Sequence, residues 1–224
     1  MIRGAERGVT HRTARASAAA MGGSRRAAML FTLASLVAGG CSGMRVDDVA
    51  SATPAFDFEA YFDGHTRASG WFADRFGKPR RHFCGDFVGA RQGDDFLLDE
   101  TLDYTDGVLE KRLWRVSISA EGVFRASSES LVGEARGVIR GSALEMHYTM
   151  RVSTADGGEP TFDFDDFMIL QPDGSLHNIT HVKKWGVRLG VVSTQYARHD
   201  GSETCASRSP PLADRARTPS GSAG

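Results

Sequence analysis

Apolar and polar residues alternate along most of the chain from about Phe56 to Ala197. Phe96, Leu98, Leu102 and Tyr104 fall on one side of a two-residue repeat, opposite Asp95, Asp99 and Asp103. Trp114, Val116 and Ile118 oppose Arg115, Ser117 and Ser119. Leu144, Met146, Tyr148, Met150 and Val152 oppose Glu145, His147, Thr149 and Arg151, and Phe162, Phe164, Met168 and Leu170 share another side. Successive side chains of a strand point to opposite faces, so this pattern predicts antiparallel strands around one core. Turn formers punctuate it at Gly77-Lys78-Pro79, Gln92-Gly93-Asp94, Asp106-Gly107, Glu121-Gly122, Gly141-Ser142, Asp156-Gly157-Gly158 and Asp173-Gly174. A 3.6-residue repeat is confined to one turn of helix near Phe58 to Phe62. The prediction is an all-β domain over residues 56–197. About 8–10 strands joined in order would close into an antiparallel up-and-down barrel, which has no open edge.

Three charged residues break the apolar faces. Glu100 falls with Leu98 and Leu102, Arg112 with Trp114 and Val116, and Asp166 with Phe164 and Met168. Asn178 shares a face with Leu176, Thr180 and Val182. Buried charge is costly unless paired or hydrated, so Arg112 is expected to bridge Asp166 or Glu100 through its planar fork. Glu100, Arg112, Trp114, Asp166 and Asn178 are therefore candidate ligand-binding residues, a polar anchor within an apolar pocket. The competing reading is a structural network that fixes the register of the barrel. Trp71, Trp114 and Trp185 fit core or rim positions better than stacking platforms.

Ahead of the barrel, Arg25-Arg26 precede an apolar run from Ala27 to Val37, which ends in Ala38-Gly39-Gly40-Cys41. The run is short for a membrane span, which needs about 20 residues, and fits the apolar core of an export signal. Small residues before a cysteine fit the cleavage site of bacterial lipoproteins, although Ala38 stands where leucine is commoner. Residues 1–40 thus read as a lipoprotein signal peptide, with residues 1–20 open to being a misassigned start before Met21. Cys41 is the expected lipidation site, and Ser42 behind it points to the outer rather than the inner membrane. Residues 41–55 form a lipidated tether in this scheme. Residues 198–224, rich in Ser, Pro, Ala, Arg and Gly, form a disordered tail.

Composition narrows the function classes. The chain has 27 basic and 28 acidic residues, but residues 1–40 hold six arginines and one acid, so the remainder has 21 against 27, near −6. An acidic domain with no basic cluster is a poor nucleic-acid binder. Beyond Cys41 there are two cysteines, Cys84 in a strand-like run and Cys205 in the tail. Two unpaired thiols are favoured over a Cys84–Cys205 disulfide, because little in the tail would hold Cys205 in place. Neither a nucleophile elbow, a phosphate-binding loop, a His-Glu-x-x-His nor a Cys-x-x-Cys occurs, so no catalytic, cofactor or metal residue is assigned. His177 and His181 on one strand stand about 13 Å apart, too far to share an ion. The carboxylates of Phe162-Asp163-Phe164-Asp165-Asp166 are split between two faces.

Several stretches resemble the proteobacterial lipoproteins of domain of unknown function 3833. They are Asp99-Glu100-Thr101-Leu102-Asp103-Tyr104-Thr105-Asp106-Gly107 followed by Arg112-Leu113-Trp114; Phe164-Asp165-Asp166-Phe167-Met168 followed by Asn178; Lys184-Trp185-Gly186-Val187; and Tyr61-Phe62-Asp63-Gly64. Phe167 and Trp185 depart from the expected tryptophan and phenylalanine. The resemblance implies an envelope lipoprotein with a lipocalin-like barrel, and no particular activity. The resulting expectation is a binding protein rather than an enzyme. It would be lipid-anchored on the periplasmic face of the outer membrane and hold an apolar or amphipathic small molecule such as a lipid or fatty acid. The alternatives are a structural or assembly lipoprotein, or a lipid-modifying enzyme with Glu100 or Asp166 as its acid–base group.

Overall fold

A computed structural model describes residues 44–154, 156–202, 204 and 205. The expected signal peptide and Cys41 lie outside the described residues, as does the chain beyond Cys205. Ten strands follow one another: β1 (Gly64–Asp74), β2 (Pro79–Gln92), β3 (Asp95–Tyr104), β4 (Leu109–Ile118), β5 (Val123–Ser127), β6 (Ala135–Arg140), β7 (Ala143–Arg151), β8 (Thr161–Leu170), β9 (Leu176–Lys184) and β10 (Val187–His199). Each pairs antiparallel with its neighbours in sequence, and β1 pairs with β10, closing the sheet into an up-and-down barrel. The fold is the one the alternation predicts, and the apolar positions of that alternation form its interior.

Every turn signal read from the sequence separates two consecutive strands. Two connections carried none. Residues 128–134 join β5 to β6, and Trp185-Gly186 join β9 to β10. Lys184 pairs with Val187 around this second turn, and Trp185 and Gly186 have φ of 51° and 76°. Positive φ at both central residues defines the tight turn that matches strand twist, where Asn-Gly is usual. A tryptophan in that place, 89% exposed, conceals the hairpin from a composition-based reading.

The two ends of the barrel differ. Helix α1 (Phe58–Phe62) lies across the end where β1 begins, its first turn capped by the Asp57 carboxylate accepting from the Ala60 N–H at 3.0 Å. Its buried Phe58 and Phe62 meet Phe96, Phe124, Phe87 and Tyr196 at ring-centre distances of 5.2–6.2 Å, and the Tyr61 hydroxyl donates to the Tyr196 carbonyl at 3.2 Å. The fit is close enough that a Cβ on Gly89 would stand 2.1 Å from the Phe62 carbonyl oxygen. At the opposite end the inward-facing Phe72, Phe83, Val152 and Phe162 are only partly buried. That end is the mouth.

Two features lie outside the wall. A 3-10 turn, Val46–Val49, packs Val46 against Ala143 and Phe167, which explains a buried aromatic on the outward side of β8. Cys84 of β2 and Cys205 form a disulfide, and the Cys205 N–H donates to Asp86 at 2.7 Å. This corrects the preference for unpaired thiols: β10 continues to His199, and the bond from the Cys205 N–H to the Asp86 side chain of β2 holds Cys205 beyond it. No helix among the described residues is long and apolar enough to cross a membrane.

Candidate functional site

Five inward positions of β3, β4, β8 and β9 converge on one cavity of about 460 Å³, lined by Glu100, Arg112, Trp114, Asp166 and Asn178. These are the residues singled out from the alternation. The volume falls within the range of about 300–1,000 Å³ typical of small-molecule sites. Its remaining wall is chiefly apolar, including Phe83, Leu98, Met146, Met150, Phe164 and Val182.

Glu100 and Arg112 are paired across β3 and β4, so register sets them side by side. Arg112 Nη1 donates to Glu100 Oε1 at 2.8 Å, while Arg112 Nη2 donates to Glu110 Oε2. Trp114 Nε1 donates to the second Glu100 oxygen, and the Tyr104 hydroxyl donates to Glu110 at 3.1 Å. The other Glu110 oxygen accepts from the Ser153 N–H at 2.7 Å, tying the cluster to the β7–β8 loop at the mouth. Burial alone would lower the pKa of Arg112, but the Glu100 and Glu110 carboxylates override it and hold the guanidinium cationic. Burial, reinforced by Glu110, raises the pKa of Tyr104. Arg81 sits over the Tyr104 ring at 3.5 Å, pairs with Asp106 at 2.7 Å and donates to the Ser153 carbonyl at 3.3 Å.

Asp166 belongs to a separate group. Of the two partners expected for Arg112, Glu100 is engaged and Asp166 is not, because Glu110, two residues before Arg112 on the same face, takes the second arm of the guanidinium. Asp166 Oδ2 accepts instead from the Tyr148 hydroxyl at 3.1 Å. Tyr148 stacks on Phe164 with ring centres 5.0 Å apart and meets Trp114 edge-on at 5.8 Å. Burial pushes the Asp166 carboxyl up to about 6; Thr180, Tyr148 and Asn178 beside it oppose that rise, and Glu100 adds to it. Asp166 Oδ1 nonetheless has no partner within hydrogen-bonding geometry, and neither has Asn178 Oδ1. Asn178 spends its amide on Thr180 Oγ1 at 3.2 Å. Burial likewise raises Tyr148 and Tyr196 well above the ordinary tyrosine range.

The sequence reading missed Glu110, Tyr104, Tyr148 and Arg81 as members of the polar clusters. The parity of Arg112 was the available signal for Glu110, but Leu109 and Leu113 point outward on β4 and blur its alternation. His177 and His181 face outward, and no group of His, Cys, Asp or Glu among the described residues could hold a metal ion. A family model described as "Protein of unknown function (DUF3833)" matches residues 35–198. No curated protein matches the chain.

Proposed function

The chain belongs to the DUF3833 family, and from that premise we propose that it is an envelope lipoprotein whose barrel binds an apolar or amphipathic small molecule, a lipid or fatty acid in the first instance. The observation that carries the reading is the cavity of about 460 Å³, apolar in most of its wall and open toward one end. A barrel built only for stability would fill that volume, since protein interiors pack as densely as organic crystals. Phe58 and Phe62 floor the cavity, Trp114 and Tyr148 cross its middle, and Phe83 and Arg81 stand near the mouth. Such an arrangement suits a ligand with an apolar body and one polar group. The anchor would be a lipid on Cys41, and Ser42 behind it favours the periplasmic face of the outer membrane.

Asp166, with its carboxyl at about 6, favours acid–base chemistry as a second reading. The oxygens of Glu100 are engaged by Arg112 and Trp114, which leaves Asp166 without a second free carboxylate for such work. Binding is therefore the stronger reading.

Native mass spectrometry of the protein purified from its membrane should reveal a co-purifying small molecule. A barrel found empty in repeated preparations, and unresponsive to long-chain alcohol, amine, fatty acid and phospholipid alike, would remove the binding reading. The anchor is checked separately: Cys41→Ser should abolish incorporation of radiolabelled palmitate, and label persisting in the variant would overturn it.

A further inference from the structure

The charge inside the barrel says what kind of polar group it can accept. Glu100, Glu110 and Asp166 face inward against the single guanidinium of Arg112 in their midst. Arg112 is committed to two carboxylates, and Arg81, nearer the mouth, is committed to Asp106 and the Ser153 carbonyl. An anionic headgroup entering the cavity would find these cations already neutralised and more than one carboxylate close by. Like charges in a low-dielectric interior repel strongly.

The unmet hydrogen-bonding capacity points the opposite way. Asp166 Oδ1 and Asn178 Oδ1 are both acceptors without a partner, on side chains only 4% exposed that line the cavity. They lie close on the wall, because Asp166 pairs with Thr180 across β8 and β9, and Asn178 is two residues away on the same face. Buried acceptors left unmatched are rare in native proteins and cost stability. Above about pH 6 Asp166 is ionised and has no proton of its own to offer either atom. The Thr180 hydroxyl and the Asn178 amide flank Asp166 without closing a hydrogen bond to Oδ1, so in an empty barrel water supplies the donors.

We propose that the ligand carries a hydrogen-bond donor at its polar end, a hydroxyl or a protonated amine on an apolar body, received by Asp166 and Asn178, and that the barrel discriminates against fatty-acid anions. The proposal rests on the binding function above and narrows it. A protonated amine satisfies both orphan acceptors and a hydroxyl one of them, and either leaves the Glu100–Arg112–Glu110 cluster undisturbed. A carboxylate would have to break that cluster or face it unpaired.

The test is a calorimetric titration of the purified full-length chain at pH 7.5 with four probes of equal length: dodecan-1-ol, dodecylamine, dodecanoate and n-dodecane. The alcohol or the amine should bind at least about tenfold more tightly than dodecanoate, the factor one well-made hydrogen bond supplies. Whichever of the two binds better shows whether the donor is neutral or charged. Volume-matched Asn178→Leu and Asp166→Leu should erode that preference while dodecane still binds, which shows that the barrel is folded. Dodecanoate binding as tightly as the alcohol and amine would overturn the donor proposal yet leave the binding function standing. Should none of the four bind, the binding function itself falls.

Discussion

Arg112 stands between Glu100 and Glu110 with its side chain only 9% exposed. Removing it leaves two buried carboxylates without their common partner. Breaking a buried pair typically costs about 3–5 kcal/mol, so Arg112→Ala should lower the urea or thermal midpoint severely. Arg115, three residues on and so on the opposite face of the strand, points outward and is 54% exposed where it pairs with Asp95. Exposed pairs contribute about 0–1 kcal/mol, so Arg115→Ala serves as the control. If the two variants melt alike, the inward cluster does not hold the barrel together. At this scale the sequence told which way each side chain points, because parity along a strand is local. It did not tell which carboxylate Arg112 would choose, because that depends on the register between β3 and β4 and on a guanidinium long enough to reach Glu110. Asp166 was legible as buried and illegible as isolated from Arg112 for the same reason.

The strands themselves were legible wherever a polar outer face contrasted with an apolar inner one, as on β3 and β7. The contrast weakens on β4, where Leu109 and Leu113 are exposed. The turn at Trp185-Gly186 escaped because positive φ is a property of backbone, and tryptophan does not advertise it. How the helix meets the barrel was equally hidden, since one turn of helix has little pattern to read. Gly89 of β2 gives that contact a measurable consequence. An added methyl would meet the Phe62 carbonyl oxygen at 2.1 Å and the Phe96 ring at 2.6 Å, and the carbonyl, being backbone, cannot swing aside. Overpacking of this kind costs about 1–3 kcal/mol or more. Gly89→Ala should accordingly melt earlier than the wild type and loosen α1, read as faster amide exchange in Phe58–Phe62. Unchanged melting and exchange would mean that the helix does not press on β2 as described.

For the molecule as a whole, composition and alternation were enough to give one closed all-β barrel, and closure followed from the need to leave no strand edge bare. What they could not give was the fastening of the end of the chain to the wall. Cys205 lies in a Ser- and Gly-rich stretch with no periodicity, and only the tertiary contact with Asp86 and Cys84 fixes it. That fastening bears on the order in which the barrel assembles. Nine of its ten strand pairings join sequence neighbours and can zip locally, whereas β1 must find β10, with His65 opposite His199. Non-local pairings are the slow ones, since loop closure must precede their reward. The disulfide crosses that same seam: Cys84 lies opposite Ser69 of β1, which in turn lies opposite Gln195 of β10. With the bond intact an unfolded chain retains a crosslink between residues 121 apart, a constraint on the order of 5 kcal/mol in the chain-entropy view. The search for the seam is then largely complete before folding begins. The double variant Cys84→Ser/Cys205→Ser should therefore refold much more slowly in stopped-flow mixing while unfolding at a similar rate. The reverse result, fast refolding with accelerated unfolding, would mean that the seam closes early and that the bond acts as a late lock.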